Sequence, residues 1–308
     1  MRYSRTGIII ALIGAEIFIA GAILAALGAP HSAGASQLHG VAFTARAVEP
    51  IDAGDAPRVR IDDADSTVTV STSPDGRVHV IDNSRLGGPI WGTRDLPQLQ
   101  VERTSDGVNV SRPDAGGATY FMFGGWEDRR ITVQVPQKAN VDVIACSGAE
   151  ITGLAGSVRV RSQDGAITVR DLTADADLQS DDGHIDAANI HAKSLSVSTN
   201  DGELRLRDVT VDRLQGSTQD GLISASGLQV GGGSLSTNDG GIELSFLPAN
   251  LSIHAQTSDG NVTFDGRKMG SNDDDDSSSG DFHIGAGGGS LQVATQDGDI
   301  HILTNGAS

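Results

Sequence analysis

Aspartates followed by glycine recur about every nineteen residues through the second half of this 308-residue chain. Carboxylate oxygens are the ligands that Ca²⁺ prefers. If the copies stack at the strand spacing of about 4.8 Å, like charges repel and a cation between them relieves the repulsion. One carboxylate per copy supplies few ligands, and the Gly-Gly-x-Gly-x-Asp nonapeptide of calcium β-rolls is missing. The candidates for weak Ca²⁺ binding are Asp164, Asp182, Asp201, Asp220, Asp239 and Asp259.

The phrase around each aspartate favours a structural role over a metal site. It reads Ser/Thr-x-Asp-Gly-x-apolar, as in residues 199–204, and it returns once more at Thr295. Glycine accepts positive φ, and an aspartate carboxylate accepts hydrogen bonds from the N–H groups that follow it, so Asp-Gly indicates a turn. The Ser/Thr lies an even number of residues from the apolar residues before it, so its side chain is expected to point to the same face. It therefore predicts a ladder of hydroxyls inside a repeated corner.

The residues that flank each corner alternate apolar and polar, which is the pattern of half-buried strands. Leu195 and Val197 precede one corner, and Leu204 and Leu206 follow it. Self-similarity at this period indicates stacked copies of one unit. The sequence predicts an all-β fold, a parallel β-solenoid (β-helix) of eight or nine coils over residues 141–303. Two copies are degenerate, Cys146–Ile151 and Ser277–Phe282, and an insertion before the second predicts a solvated loop at Asp273–Asp276.

Residues 47–140 predict an N-terminal β region that caps the first coil. It includes a cluster of aromatic side chains among glycines, in a chain that is 4% aromatic. Such a cluster either covers the apolar end of a solenoid or forms an exposed contact for a partner. The residues concerned are Tyr120, Phe121, Phe123 and Trp126.

Residues 8–29 form an apolar run interrupted only by Glu16 and preceded by Arg2 and Arg5. Its length suits a bilayer span better than the shorter apolar core of a cleaved signal peptide, and the positive flank stays in the cytoplasm. The sequence predicts a signal anchor at 1–29, a linker at 30–46, and a single-pass cell-membrane protein with its C-terminal domain outside the cytoplasm. Cleavage near Ala35 is the alternative.

The charge and the scattered polar residues limit the function. A net charge of −18 disfavours nucleic acid as a partner. The histidines show no metal-ligand spacing, and no nucleophile motif or phosphate-binding loop occurs, so we expect a protein that is not an enzyme and uses no cofactor. The lone Cys146 is expected to be a buried small side chain, with pairing between chains as the alternative.

The end of the repeat predicts a second kind of contact. Ile302 and Leu303 stand five residues or so from the terminus, with only the tail 304–308 behind them and no capping segment. An unpaired strand edge can pair with another molecule. Two alternatives follow: the edge is short and tolerated, or it pairs with another molecule, as in self-association through the C-terminal edge of the solenoid.

Several segments resemble the DUF4097 family of bacterial proteins, which are described as candidate adhesins with β-strand repeats. They are Ile131–Pro136, Ala139–Val143, Ser147-Gly148, Gly153–Val160 and the Ser-x-Asp-Gly-x-Ile copies. The resemblance spans about residues 58–303. It implies a membrane-anchored cell-envelope protein, an adhesin or scaffold, that binds an envelope protein or a glycan. An accessory or sensor role in an envelope-stress response is the alternative, and a carbohydrate-active β-helix enzyme is the second alternative.

Overall fold

The computed structural model describes residues 46–87, 90–91, 98–113, 121–122, 126–270 and 277–304, and the regular elements in these ranges are strands. The chain divides into two compact units, residues 1–42, 86–96 and 115–127 in one and residues 43–85, 97–114 and 128–308 in the other. The predicted anchor, Glu16 and the linker up to residue 45 lie outside the described ranges. Where the structure describes the chain, it contains no helix with the length and apolar character of a membrane span.

The strands that precede the main run of coils are short. They are β1 (Arg46–Ala47), β2 (Arg58–Asp62), β3 (Thr67–Thr72), β4 (His79–Asp82), β5 (Arg85–Gly87), β6 (Ile90–Trp91), β7 (Gln100–Arg103), β8 (Gly107–Ser111), β9 (Phe121–Met122), β10 (Trp126–Asp128) and β11 (Arg130–Val135).

The remaining strands follow the repeated phrase. They are β12 (Asn140–Cys146), β13 (Ala149–Thr152), β14 (Val158–Ser162), β15 (Ile167–Leu172), β16 (Ala176–Ser180), β17 (Ile185–Ser198), β18 (Leu204–Ser217), β19 (Ile223–Val230), β20 (Gly232–Ser236), β21 (Ile242–Phe246), β22 (Leu251–Asp259), β23 (Val262–Phe264), β24 (Arg267–Met269), β25 (Ser278–Ile284), β26 (Gly289–Asp297) and β27 (Ile300–Thr304).

Each coil contributes one strand to each of two parallel ladders, which we call side A and side B. Side A precedes the Ser/Thr-x-Asp-Gly corner and side B follows it, as Val158–Ser162 and Ile167–Leu172 do in one coil. The apolar residues of both sides point inward and form one continuous core in which most side chains are fully buried. The predicted parallel β-solenoid is confirmed in this ladder pattern.

The described residues build ten coils, and their order along the stack differs from their order in the chain. Side A runs β8, β2, β12, β14, β16, β17, β18, β20, β26, β22. Side B runs β11, β3, β13, β15, β17, β18, β19, β21, β27, β23. Residues 58–135 therefore supply two coils of their own, in addition to strands at the end of the stack.

At the C-terminal end the last coil of the chain lies inside the stack. Strand β27 pairs in parallel with β21 on one side and with β23 on the other, and β26 likewise lies between β20 and β22. The expectation that Ile302 and Leu303 form an exposed edge is therefore wrong. The outermost coil is instead covered by antiparallel strands, β25 on β22 and β24 on β23.

The segment Ser277–Phe282 is consequently not a degenerate coil. From Ser278 onward it belongs to β25, which runs antiparallel to β22 from the pair Thr257 and Ser278 to the pair Leu251 and Ile284. Its alternating pattern resembles that of a coil strand because it covers the same apolar interior. The predicted loop at Asp273–Asp276 lies outside the described residues.

The N-terminal end repeats this arrangement. The first coil of the chain, β2 and β3, lies between the outer coil of β8 and β11 and the inner coil of β12 and β13. Antiparallel strands again cover the outer coil, β7 on β8 and β4 on β11. Both terminal coils of the solenoid are thus held by neighbours on each face.

A buried ion network joins three elements at this end. Arg112, just after β8, contacts the carboxylates of Asp63 (2.8 Å) and Asp82 (3.2 Å), and its side chain is 5% exposed. Ser66 donates a hydrogen bond to Asp63. Burial opposes ionisation of Asp82, but hydrogen bonds from Ser84 and Arg112 outweigh it and hold the pKa of Asp82 below its ordinary value. The network fixes the outer coil to the coil beneath it and to β4.

A second corner, after side B, depends on residues in the left-handed region of φ. Gly153, Asp171, Asn189, Asp208 and Gly227 occupy equivalent places there, with φ between 53° and 80°. Only glycine, asparagine and aspartate adopt this conformation at low cost. Each is followed by a buried apolar residue that fills the third side of the coil; these residues are Leu154, Leu172, Ile190, Val209 and Leu228.

Candidate functional site

The predicted hydroxyl ladder is present at the first corner. Ser162, Ser180, Thr199, Thr218, Thr237, Thr295 and Thr257 are all buried. Thr218 Oγ1 donates to Gly202 O of the preceding coil (3.0 Å) and accepts from the N–H of Gly221 in its own turn (3.2 Å). The same pair of bonds recurs at Ser180 and Thr199. The hydroxyls join each coil to the next.

At five of the seven Asp-Gly corners, the glycine is required for close packing rather than for positive φ; only Gly260 and Gly298 have positive φ. At Gly165, Gly183, Gly202, Gly221 and Gly240 the backbone lies outside the left-handed region. A Cβ on Gly202 would lie 2.2 Å from Gly183 O, and a Cβ on Gly240 would lie 2.2 Å from Gly221 O. The predicted turn is present, but the reason for its glycine is the approach of the neighbouring coil.

The six candidate Ca²⁺ residues lie in one file on the outside of this corner. Asp164, Asp182, Asp201, Asp220, Asp239 and Asp259 are all exposed. Asp297 stands in the file between Asp239 and Asp259. Within the described ranges, no group of three or more His, Cys, Asp or Glu side chains is placed to hold a metal ion. Weak Ca²⁺ binding stays a prediction, which a melting temperature measured with millimolar calcium and with chelator would test.

The backbone N–H groups of the turn were predicted to donate to the Asp carboxylate, but they donate to the Ser/Thr hydroxyl of the ladder instead. In the described structure the N–H of each corner glycine from Gly165 to Gly221 donates to the Ser/Thr hydroxyl. The Asp side chains face solvent instead. Their role in the turn is therefore smaller than the repeated phrase predicts.

The aromatic candidates are described only in part. Tyr120 and Phe123 lie outside the described residues. Phe121 lies on β9, which pairs with β6, and Trp126 lies on β10, which pairs with β5; both pairs are separate two-stranded sheets. Strands β7 and β4 cover the outer coil in the described part of the chain. The partner-contact role of the aromatic cluster stays a prediction. Cys146 ends β12.

The outward residues of side A change character along the stack. One register column contains Arg60, Asp142, Arg159 and Asp177 on four successive strands, so charges of opposite sign alternate there. The same column continues with uncharged side chains on β17, β18, β20 and β26. The charged part and the uncharged part lie on one flat ladder.

We call the uncharged part of this ladder the Ser/Gln surface. It consists of Ser196, Ser198, Gln215, Ser217, Ser234, Ser236 and Gln292, which are all exposed or half-buried. Successive strands place these side chains about 4.8 Å apart across the ladder and about 7 Å apart along each strand. The equivalent outward positions of side B mix charged residues, Asp186, Arg205 and Glu243, with uncharged ones such as Ser224.

The sequence does indicate this surface, but in the strand residues between the corners and not in the repeated corner phrase. The polar residue between two apolar ones is serine or glutamine in four stacked copies, as in Leu195-Ser-Val-Ser and Leu291-Gln-Val-Ala. Alignment of the copies by their Asp-Gly corner would show an uncharged column in an acidic protein. The corner phrase is shared by both sides of a coil and therefore does not distinguish side A from side B.

The stacked ladders, the repeated hydroxyl corner and the closed ends define a repeat protein of the β-solenoid class. The family model described as Toastrack DUF4097 matches residues 58–303, and the chain belongs to that family. No curated protein matches the sequence significantly.

Solved structures of candidate adhesins are similar to the chain. One from Parabacteroides distasonis shares 12% identity with a TM-score of 0.44, and one from Parabacteroides merdae shares 13% with a TM-score of 0.43. One from Bacteroides fragilis shares 14% with a TM-score of 0.39. Each match covers 85% of this chain and 96% of the other.

Proposed function

We propose that this protein is a non-enzymatic, adhesin-like binding protein of the cell envelope, anchored by residues 8–29, with the solenoid outside the cytoplasm. The observation that carries the proposal is the Ser/Gln surface, an uncharged flat ladder in a chain of net charge −18. Hydroxyl and amide groups both donate and accept hydrogen bonds. Because the strands are paired on both sides, this surface is rigid before it binds, which lowers the entropic cost of association.

The surface suits an extended partner better than a small substrate. Its side chains repeat at fixed intervals and form no enclosed cavity, whereas small-molecule sites are concave. An elongated concave or flat surface is the usual binding feature of stacked repeats. The proposed partner is therefore an envelope protein or glycan that presents regularly spaced polar groups.

A charge placed in the centre of the Ser/Gln surface tests the proposal. The full-length chain carrying Gln215→Lys and Ser234→Lys is mixed with an envelope fraction, and the retained protein is compared with wild type. We expect the double variant to lose most of its binding, because two buried ammonium groups lack partners in the complex. Ser224→Lys, at the equivalent outward position of side B, is the matched control. If the envelope fraction retained the wild type, the double variant and the control equally, the proposal would be wrong.

A further inference from the structure

The Asp-Gly pairs of this chain have a chemical property besides forming turns. The backbone nitrogen of the glycine can attack the side-chain carboxyl of the aspartate, which closes a succinimide ring and releases water. Hydrolysis of the ring leaves either aspartate or isoaspartate. Glycine favours the step because it has no side chain to restrict its backbone. The chain contains ten such pairs, at Asp75, Asp106, Asp164, Asp182, Asp201, Asp220, Asp239, Asp259, Asp265 and Asp297.

Hydrogen bonds hold the glycine nitrogen at most of the corners. The corner glycines from Gly165 to Gly221 each donate their N–H to the Ser/Thr hydroxyl of the same corner. Gly298 donates its N–H to Asp259 O of the neighbouring coil, at 2.9 Å. Such a bond must open before the nitrogen can attack, so ring closure is slowed at these corners.

In the pairs outside the ladder, hydrogen bonds hold the carboxylate instead. Asp75 Oδ1 lies 2.7 Å from His79 Nε2 and accepts from the N–H of Arg77 (3.1 Å). These bonds hold the pKa of Asp75 below its ordinary value and keep it ionised, and an ionised carboxyl is a poor electrophile. Asp106 and Asp265 each accept from a threonine hydroxyl, at 3.0 and 2.8 Å.

The pair Asp259-Gly260 has neither kind of bond in the described part of the chain. The hydroxyl of Thr257 donates to Asp259 O (3.2 Å) and Gly298 O (2.9 Å) and accepts nothing from Gly260. Gly260 has φ of 146°, unlike the ladder glycines, and is half-buried. The carboxylate of Asp259 is exposed and has no hydrogen-bond donor among the described residues.

The position of this pair in the stack also differs from that of its nearest counterpart. Gly240 likewise makes no bond to its corner threonine in the described structure, but a coil packs on each of its faces, at Gly221 and at Gly298. The corner of Gly260 belongs to the outermost coil, and β25 covers β22 only as far as Thr257. Local opening is easiest where neighbours are missing.

We propose that Asp259 is a site of spontaneous isoaspartate formation, and that hydrogen bonds or neighbouring coils protect the other Asp-Gly pairs. The nitrogen of Gly260 forms a bond to Asp259 Cγ, and its proton leaves with the carboxyl hydroxyl as water. A second water then opens the ring at the main-chain carbonyl, so that the chain continues through the side chain. The product has an extra methylene in its backbone, which disturbs the register between β22 and β23. Because stacked repeats contact only their neighbours, the damage is confined to this end.

The test follows the full-length chain in detergent at neutral pH over time. Samples are denatured and digested with Asp-N, a protease that cleaves before aspartate and not before isoaspartate. We expect cleavage before Asp259 to be lost at least about fivefold faster than before Asp201 or Asp220, which is the factor that one hydrogen bond contributes. An isoaspartyl methyltransferase with labelled methyl donor confirms that the product is isoaspartate.

Hydrogen exchange resolved to single residues tests the same point without a variant. The amide of Gly260 should exchange at least about fivefold faster than the amides of Gly202 and Gly221, which donate to a threonine hydroxyl. This measurement also stands if a variant fails to fold.

The matched variants change one hydroxyl of the ladder. Thr218→Val removes the acceptor of the Gly221 N–H and should accelerate conversion of Asp220 by a similar factor, with Asp182 unchanged. Thr218→Ser keeps the hydroxyl and should leave Asp220 at its wild-type rate. Asp259→Glu should remove the fastest site, because the larger ring closes much more slowly.

The proposal fails if Asp259 converts no faster than Asp201 and Asp220, or if Asp75 or Asp265 converts first. It also fails if the Gly260 amide exchanges as slowly as that of Gly221, or if Thr218→Val folds and leaves the rate at Asp220 unchanged. None of these measurements involves the Ser/Gln surface. Their failure therefore leaves the proposed function standing, and loss of envelope binding leaves this proposal standing.

Discussion

At the scale of single residues, the buried hydroxyl of each corner contributes more to stability than the exposed carboxylate beside it. Thr218 joins two coils through its bonds to Gly202 and Gly221. Thr218→Val keeps the shape but leaves a carbonyl and an N–H without partners, so we expect a loss of about 1–3 kcal/mol in the free energy of unfolding. Asp220→Asn is the control and should change it by less than about 0.5 kcal/mol. Urea unfolding of both variants measures the difference; equal losses would contradict it.

Two adjacent glycines separate the effect of close packing from that of the turn. A Cβ on Gly240 would lie 2.2 Å from Gly221 O, whereas a Cβ on Gly241 would have its nearest neighbours at 3.4 Å. We expect Gly240→Ala to destabilise the protein by about 1–3 kcal/mol through overpacking. Gly241→Ala should have a much smaller effect on the urea midpoint. If the two variants unfold alike, the interpretation of the corner glycine is wrong.

The ion network around Arg112 predicts a pH dependence. Arg112→Ala leaves the buried Asp63 and the half-buried Asp82 without their cation, and we expect a loss of about 3–5 kcal/mol. Arg130→Ala removes an exposed pair with Asp128 and should cost less than about 1 kcal/mol. Because the folded pKa of Asp82 is lowered, its contribution is fully present above about pH 3.9 and is lost as the pH falls through the folded value.

Thermal melts from pH 7 to pH 2 measure this contribution. The wild type should lose stability below about pH 3.9 more steeply than Arg112→Ala, in which the contribution is already missing. If Arg112→Ala lost stability at low pH as steeply as the wild type, the ion network would not be the cause of that loss. Arg130→Ala should follow the wild type throughout.

At the scale of elements, the two corners differ in how well their residues can be read from the sequence. The first corner repeats the same letters, so its turn, its hydroxyl ladder and the flanking strands follow directly from the phrase. The second corner needs only a left-handed φ, which Gly153, Asp171 and Asn189 all supply. Three residue types serve one conformation there, so no repeated phrase indicates it. The reason for the corner glycine also depends on the neighbouring coil, which a single copy does not reveal.

The second corner gives a prediction that distinguishes these residue types. Asp208 has φ of 53°, and Val209 behind it is fully buried. Asp208→Gly removes the cost of the left-handed conformation and should leave stability unchanged or raise it slightly. Asp208→Val places a β-branched side chain in that region and should lower the free energy of unfolding by about 1–3 kcal/mol. Similar urea midpoints for the two variants would contradict the assignment.

At the scale of the whole solenoid, composition and period determine the kind of fold but not the order of its coils. All coils share one pattern, so β22 and β26 fit the same place in the ladder equally well by sequence. At the C-terminal end the chain passes one position outward and returns to fill the gap, as the pairing of β26 between β20 and β22 shows. At the N-terminal end it builds the second coil first, then the outer coil, and then continues at the third coil. The antiparallel strands that cover both ends then remove the open edges that the repeat alone would leave.

Because of this order, we expect the deletion of an internal coil and the deletion of the last coil of the chain to have different effects on unfolding. Deletion of residues 199–217 joins Ser198 to Thr218 and removes one internal coil without breaking the phrase. Because stacked repeats contact only their neighbours, we expect a folded protein with a smaller urea m-value. Deletion of residues 289–304 removes a similar length but leaves β20 and β22 without the strand between them. We expect that variant to unfold in two steps and to be cut by protease within residues 251–284. If both variants unfolded in a single cooperative transition, β22 would have moved inward to pair with β20. The placement of β26 between β20 and β22 would then not be needed for the stability of this end.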